Sequence, residues 1–221
     1  SSRGAAGKHM LLDQHPEYIS LFEPDGWTWC ITNPYTRQYL TELVLELHDL
    51  FDKPPFFHIG CDEAHSAGSC SICWENYPEK LKAHLLHFHS IFAERGTRIM
   101  MWHDMLLNEE DPRWKGYIAF GHAADGLGEL YKELPKDVVI CDWQYYYPEN
   151  DGNEPDWPTS RFFKQAGFDV LVCPWLDKRG VKSLGYHAKQ EKLFGMLETT
   201  WHRCRGSQRM ETLFLMASNA A

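Results

Sequence analysis

Two adjacent carboxylic acids, Asp62 and Glu63, are the residues of this 221-residue sequence best placed to do chemistry. They follow an apolar run that predicts a buried strand over residues 56–60, which the backbone leaves at Gly60. Because neighbouring side chains of a strand point to opposite faces, both acids can face one pocket only beyond the end of the strand. Acids in such a place are either general acid–base groups of an enzyme or part of a solvated loop or helix N-terminus.

Aromatic and acidic residues also follow the later predicted strands. Apolar runs predict these strands over residues 99–102, 138–143, 170–173 and 195–199. The residues at or just beyond their C-terminal ends are Trp102 and Asp104, Trp143 and Tyr145, Trp175 and Asp177, and Trp201. Since the carboxyl ends of parallel strands form the active face of a barrel, this recurrence predicts a tryptophan-lined pocket. Packing in the core is the alternative for each tryptophan.

Helical patterns alternate with the strands. Pro34 suits the first turn of a helix that reaches Leu50, and its apolar residues recur at helical spacing: Leu40, Leu43, Val44, Leu47 and Leu50. Further helices are predicted over residues 81–94, 162–166, 181–194 and 207–218, with a weak one near 127–134. This alternation predicts an α/β fold with a parallel sheet, as one domain over residues 1–221. Residues 1–10 are either part of that domain or a linker or tag.

Composition narrows the class of protein. The net charge of −9 leaves no basic stripe for a nucleic-acid partner, and no run of 18 apolar residues predicts a membrane span. The seven cysteines are an odd number, and Cys61, Cys141 and Cys173 lie in or beside apolar runs, as reduced thiols do. We therefore expect a cytoplasmic protein.

The segment His58-Ile59-Gly60-Cys61-Asp62-Glu63 resembles the His-x-Gly-x-Asp-Glu signature of family 20 glycoside hydrolases, the β-N-acetylhexosaminidases. Gly7-Lys8-His9 with Pro16-Glu17 is similar to a segment that follows the third barrel strand of that family. The resemblance covers residues 5–221 and implies a (β/α)8 TIM barrel, of which the chain holds the last five strands and helices. The missing strands would then come from a longer chain, from another segment, or from pairing in a homo-oligomer.

The resemblance implies roles for the acids. Glycoside hydrolysis usually takes two carboxyl groups that stand apart, whereas adjacent acids suit substrate-assisted catalysis by the 2-acetamido group of the sugar. Glu63 would be the general acid and base, and Asp62 would orient the acetamido group. The substrate would carry a terminal β-linked N-acetylhexosamine, and no cofactor is implied.

The resemblance also implies which residues bind the sugar. Trp102, Trp143 and Trp201 match pocket walls of the family, while His58 and Asp104 would order the site. The family often has Tyr-x-Asp where this chain has Trp175-Leu176-Asp177. Either Tyr145 replaces that tyrosine as hydrogen-bond donor to the acetamido carbonyl, or the role is unfilled, and Asp177 can still bind a sugar hydroxyl. The family's Trp-x-Glu after strand eight is Trp201-His202-Arg203 here, and its substrate-binding arginine has no counterpart.

Two other kinds of protein compete with this interpretation. Cys70-x-x-Cys73 has zinc-ligand spacing, and with Cys61 and His65 it gives a weak candidate metal site. His58, Asp62 and His65 form a second candidate, for a metal-dependent hydrolase. The remaining alternative is a catalytically silent piece that only binds sugars.

Overall fold

The computed structural model describes residues 8–122, 126–148, 155–199 and 201. Its helices are α1 (Leu11–Gln14), α2 (Pro34–Leu50), α3 (Tyr77–Ala93), α4 (Pro158–Gln165) and α5 (Lys178–Gln190). Its strands are β1 (Phe56–His58), β2 (Arg98–Trp102), β3 (Val139–Trp143), β4 (Asp169–Cys173) and β5 (Gly195–Met196). The described residues also form 3-10 helices at Pro16–Leu21, Asp104–Leu106, Pro112–Trp114 and Leu127–Lys132, the last where a weak α-helix was predicted. The predicted helix over 207–218 lies outside the described residues.

The five strands form one parallel sheet in the order β1-β2-β3-β4-β5. Register pairs Phe57 with Ile99, Trp102 with Cys141, and Trp143 with Cys173. All carboxyl ends therefore lie at one edge of the sheet, where the acids and aromatic residues were predicted to meet. The strand–helix alternation predicted for a barrel is confirmed.

The two faces of the sheet bury different residues. One face packs against α3 and α4 through side chains that include Ile99, Met101, Ile140 and Val170. The opposite face carries a cluster of Trp102, Cys141, Trp143 and Cys173. The alternation of inward and outward side chains along β2, β3 and β4 thus separates the hydrophobic core from the surface that holds the aromatic residues.

The sheet is curled around that second face. At its amino end the rings of Phe56 on β1 and Phe194, just before β5, lie 5.6 Å apart. The guanidinium of Arg98 lies 5.7 Å from the first ring and 5.5 Å from the second, and it also bonds Asp169 at the start of β4 at 2.8 Å. Side chains from the first and last strands therefore meet across the concave face, as they do inside a barrel.

Prolines and caps explain where the helices begin. Pro34, Pro78 and Pro158 each lie in the first turn, where the missing N–H costs nothing. Helices α3 and α4 consequently start at residues 77 and 158, four residues before the predicted 81 and 162. On α2, Leu40 and Val44 pack against the core, but Leu43, Leu47 and Leu50 are exposed, so only part of the predicted apolar face is covered.

Strand β5 is shorter than the predicted 195–199. Only Gly195 and Met196 pair within the ladder, and Thr199 instead donates its N–H and its hydroxyl to the carbonyl of Pro174. Among the described residues, no helix is both long and apolar enough to cross a membrane.

Candidate active site

The acid pair lies in a sharp turn directly after β1. Gly60, Cys61 and Glu63 have φ values of 77°, 70° and 46°, in the left-handed region that non-glycine residues rarely adopt. The ring Nδ1 of His58 accepts the N–H of Gly60 at 3.0 Å, which fixes the start of the turn. Such backbone strain persists where the surroundings hold it, and it is concentrated at functional sites.

Two side chains hold the backbone of Glu63 in this turn. Its N–H donates to Oδ2 of Asp104 at 2.8 Å, and its carbonyl accepts the indole N–H of Trp27 at 3.0 Å. The other oxygen of Asp104 accepts the indole N–H of Trp143 at 2.8 Å. One carboxylate therefore fixes both the acid-bearing turn and a wall of the neighbouring cavity.

The acids face a cavity of about 150 Å³. It is lined by residues from the ends of all five strands: Asp62, Glu63, Trp102, Trp143, Tyr145, Trp175 and Trp201. The structure thus brings together seven of the ten residues predicted for the site. The three that do not line the cavity are His58, Asp104 and Asp177.

Four aromatic rings form a continuous wall. The ring of Tyr145 lies 4.9 Å from Trp143 and 5.5 Å from Trp175, and its hydroxyl oxygen accepts the indole N–H of Trp201. Burial raises the pKa of Tyr145, so its hydroxyl keeps its proton. The same hydroxyl also forms a hydrogen bond with the side chain of Thr199, so two neighbours fix its direction. Stacked rings with a directed hydroxyl suit a ligand with one apolar face and polar edges.

The three predicted site residues that do not line the cavity contact other parts of the chain. His58 lies under Trp102 with ring centroids 4.3 Å apart, and its Nε2 is buried. Asp104 is fully buried, and desolvation raises its pKa to about 6. Asp177 caps α5, where its Oδ1 accepts the N–H of Arg179 at 2.9 Å and that of Gly180 at 3.3 Å. Of these three, His58 and Asp104 support the cavity from behind, as the resemblance implies.

A buried polar network behind Trp143 was not predicted from the sequence. His103 and Asp142 are fully buried with Nε2 and Oδ1 3.1 Å apart, and Asp142 also accepts the hydroxyl of Thr159 at 2.8 Å. Gln144 donates to Asp142 at 3.1 Å. The Trp143 N–H lies 3.3 Å from the other ring nitrogen of His103, so this network fixes the backbone under the cavity wall. In the sequence, this network was indicated by the polar pair His103-Asp104 directly after the predicted strand 99–102.

Glu198 is a second residue that the sequence reasoning missed. It lies between β5 and Trp201, and its two carboxyl oxygens are buried without a hydrogen-bond partner among the described residues. Burial raises its pKa to about 7. The sequence departs from the family's Trp-x-Glu at His202 and Arg203, which lie outside the described residues.

Of the metal candidates from the sequence, Cys70 and Cys73 lie in a group of possible ligands, whereas Cys61 and His65 do not. Cys61 donates its thiol to the carbonyl of Ile59, and the ring of His65 packs against Phe120 at 5.0 Å. Within the described part of the chain, the metal-ligating side chains that converge in a group of three or more are Glu23, Cys30, Cys70 and Cys73. Spacing alone indicated Cys70 and Cys73, but their partners come from a segment forty residues earlier. The set His58, Asp62 and His65 forms no such group.

A larger cavity of about 330 Å³ lies on the other side of the acid-bearing turn. Its lining is mostly apolar and comes from α2, α3 and the segment around Trp27. The acids border both cavities, and the lining of the larger one also includes the aromatic residues Trp27, Trp29 and Tyr77. The aromatic residues that follow the carboxyl ends of β2 to β5 meet the acids in the smaller cavity. We therefore place the candidate active site there.

Solved structures support the fold. The chain aligns with the crystal structure of GH20 exo beta-N-acetylglucosaminidase from Vibrio harveyi with a TM-score of 0.59 and 14% identity, over 99% of this chain and 37% of that one. A beta-N-acetylhexosaminidase from Bacteroides fragilis NCTC 9343 gives 0.56 and 13%, over 95% and 44%. The tandem GH20 catalytic modules of the pneumococcal exo-beta-D-N-acetylglucosaminidase StrH give 0.55 and 16%, over 96% and 55%. The chain thus spans little more than a third of the length of the Vibrio enzyme.

Sequence comparison assigns the family. A search of curated proteins gives no match. The family model described as glycosyl hydrolase family 20, catalytic domain, matches residues 5–212, which is nearly the whole chain and includes the acid pair. This chain therefore belongs to glycoside hydrolase family 20, as its His-x-Gly-x-Asp-Glu segment indicates.

Proposed function

We propose that this protein removes a terminal β-linked N-acetylhexosamine from oligosaccharides. The observation that carries the proposal is the pair Asp62 and Glu63 at the carboxyl end of β1, facing a cavity whose other walls are aromatic. Adjacent acids are poorly spaced to act as separate acid and nucleophile on opposite sides of a glycosidic bond. They are well spaced when the substrate supplies its own nucleophile.

In the first step, the carbonyl oxygen of the 2-acetamido group attacks the anomeric carbon, and the bond from that carbon to the leaving oxygen breaks. Glu63 transfers its proton to the leaving oxygen. Asp62 accepts a hydrogen bond from the acetamido N–H and stabilises the positive charge that develops on the oxazolinium ring. The nucleophile is held by the substrate itself, so little entropy is lost in bringing it to the anomeric carbon.

In the second step, water attacks the anomeric carbon and gives its proton to Glu63. The bond between this carbon and the acetamido oxygen breaks, which restores the acetamido group and the protonated acid. Two displacements at one carbon retain the β configuration. The chemistry needs no metal or organic cofactor.

The aromatic wall suits the apolar face of a pyranose. Trp102, Trp143 and Trp175 offer ring surface, and the hydroxyl of Tyr145 can donate to the acetamido oxygen and hold it against the anomeric carbon. The names of the Vibrio, Bacteroides and pneumococcal structures describe exo-acting enzymes or hexosaminidases, and the Vibrio structure is a complex with N-acetylglucosamine. These names favour an N-acetylhexosamine over a plain hexose.

The test compares 4-nitrophenyl N-acetyl-β-glucosaminide with the 4-nitrophenyl β-glucoside. We expect hydrolysis of the acetamido sugar only, with retention, and a loss of about 10²–10⁴-fold in kcat/KM for Glu63→Gln. This substitution should slow the hydrolysis of chitobiose more than that of the nitrophenyl sugar. The leaving oxygen of chitobiose belongs to a sugar, which is a poorer leaving group than nitrophenolate and depends more on the proton from Glu63. Glu46→Gln, an exposed change on α2, is the matched control.

Asp62→Asn tests the second acid. It should weaken binding of a thiazoline analogue of the oxazolinium ring, because the analogue, once protonated at its ring nitrogen, bears the charge that Asp62 stabilises. Equal hydrolysis of both nitrophenyl sugars would contradict the acetamido mechanism. Binding of N-acetylglucosamine without hydrolysis would favour the silent sugar-binding alternative.

A further inference from the structure

A cluster of three thiols and one carboxylate lies apart from the aromatic cavity. It consists of Glu23, Cys30, Cys70 and Cys73, and we call it the cysteine cluster. One ligand atom from each residue lies within 4.8 Å of all the others. The cluster joins two segments of the chain, one before α2 and one between β1 and α3.

The distances between the sulfur atoms fit a tetrahedral metal site. Sγ of Cys30 lies 3.8 Å from Sγ of Cys70 and 3.7 Å from Sγ of Cys73. A zinc–sulfur bond of about 2.3 Å in tetrahedral geometry separates two sulfurs by about 3.8 Å. A disulfide would hold two sulfurs at about 2.05 Å, and all three cysteines are free.

The carboxylate supplies an independent observation. Glu23 is fully buried, and its Oε1 has no hydrogen-bond partner among the described residues. Its Oε2 accepts the N–H of Cys70 at 2.6 Å and the hydroxyl of Ser69 at 3.2 Å, which fixes the orientation of the group. The Cys73 thiol, a weak donor, also bonds this carboxylate. A buried carboxylate so poorly supplied with donors is costly unless a cation is bound there.

Further hydrogen bonds orient the sulfurs. The hydroxyl of Thr32 lies 3.0 Å from Sγ of Cys73, and the N–H of Cys73 donates to Sγ of Cys70 at 3.2 Å. Such contacts around the ligands are typical of metal sites, where they orient the ligand atoms and tune their basicity.

We propose that the cysteine cluster binds one zinc ion as a closed structural site. Three thiolates and a carboxylate complete a tetrahedron and leave no open position for water, and thiolates favour zinc over magnesium or calcium. Binding requires the three thiol protons to leave, so it strengthens as pH rises.

The site would brace the acid-bearing turn. The same two segments are joined by hydrogen bonds: Thr28 accepts the hydroxyl proton of Ser66 at 2.8 Å, and Trp27 donates to the carbonyl of Glu63. The zinc ion would therefore link two segments: the one that contains Trp27, which bonds Glu63, and the one that follows Glu63 in the chain. Zinc content can be measured whether or not the protein hydrolyses the sugar.

Elemental analysis of the full chain, purified without added metal and again after dialysis against zinc, tests the proposal. We expect one zinc per chain, and cobalt substitution should give thiolate-to-metal charge transfer with intense d–d bands of a tetrahedral ion. Cys70→Ser and Cys73→Ser should lose the metal. Cys61→Ser is the matched control, since this thiol lies outside the cluster, and it should keep one zinc.

Glu23→Gln keeps the shape of the buried side chain, so it addresses the case in which the cysteine variants fail to fold. It should weaken zinc binding by at least about 10-fold, judged by competition with a chromophoric chelator, while circular dichroism stays unchanged. Equal zinc content in the wild type and in folded Cys70→Ser, or equal zinc affinity of the wild type and Glu23→Gln, would overturn the site. Absence of zinc and cobalt binding by folded wild type, or a disulfide between Cys30 and Cys70 or Cys73 found by mass spectrometry, would also overturn it.

Discussion

Asp104 shows how one buried residue can control a site whose cavity it does not line. It is fully buried, and its two oxygens accept hydrogen bonds from Glu63 and from Trp143. The first bond holds the strained turn that carries the acids, and the second holds a wall of the cavity. We therefore assign Asp104 a positioning role, as the resemblance implies.

Asp104→Asn should lower kcat more than it raises KM. The amide nitrogen would place N–H donors against an N–H donor of Glu63 or Trp143, so one bond is lost and the turn shifts. A small misplacement of the acid is expected to reduce kcat by about 10- to 100-fold. Steady-state kinetics checks the split, and a rise in KM at unchanged kcat would show direct contact with substrate instead.

The pH dependence of wild-type activity tests the same role. Burial raises the pKa of Asp104 to about 6, from an ordinary value of 3.8. Below that pH the protonated acid loses one acceptor, so we expect kcat to fall as pH drops through 6. The contribution of Asp104 to folding stability has the opposite sign: the folded state binds more protons between these pKa values, so stability falls as pH rises from about 4 to 6. Asp104→Asn should remove both trends.

At the scale of elements, α5 depends on a cap that the sequence reasoning assigned to sugar binding. Asp177 accepts two backbone N–H groups of the first turn, and its other oxygen lies 3.3 Å from the N–H of Tyr147. The carboxylate therefore joins the helix to the segment after β3.

Asp177→Ala should cost about 1 kcal/mol of folding stability, because the first turn loses its acceptor. Asp177→Asn should cost much less, since asparagine caps equally well. Chemical denaturation compares the two. If both variants are as stable as the wild type but raise KM, the sugar-binding role predicted from the resemblance would replace the cap.

The sequence predicted those elements and residues whose pattern lies within one short segment of the chain. Strands β1 to β4 were found because each contains a short apolar run, and Gly60 predicted that the backbone leaves β1 before Asp62 and Glu63. The first turns of α3 and α4 were missed because Pro78 and Pro158 precede the periodic residues. Cys30 and Glu23 could not be joined to Cys70 and Cys73, because no spacing rule links ligands from distant segments.

At the scale of the whole molecule, the carboxyl and amino ends of the strands carry different kinds of residue. The carboxyl end holds the acids and the aromatic wall. The amino end is tied by Arg98, which bonds Asp169 and the carbonyl of Asp137, both at 2.8 Å, and lies against two phenylalanine rings. This division matches the separation of chemistry and stability between the ends of a barrel.

Arg98→Met should therefore lower stability and leave the chemistry alone. The ion pair and the cation–π contacts together contribute about 1–2 kcal/mol, so Tm should fall by several degrees at unchanged kcat/KM. Calorimetry and kinetics on the same sample check this. A loss of activity without a loss of stability would show that the two ends are coupled.

The meeting of the first and last strands across the concave face has a consequence for the order of folding. Each strand pairs with its neighbour in sequence, so the sheet can grow stepwise, whereas the contact of Phe56 with Phe194 and that of Trp102 with Trp201 wait for β5. Contacts between distant parts of a chain form late because closing the loop costs entropy. We therefore expect the aromatic cavity to close after the sheet has formed, and tryptophan fluorescence should register this closure as a late step of refolding.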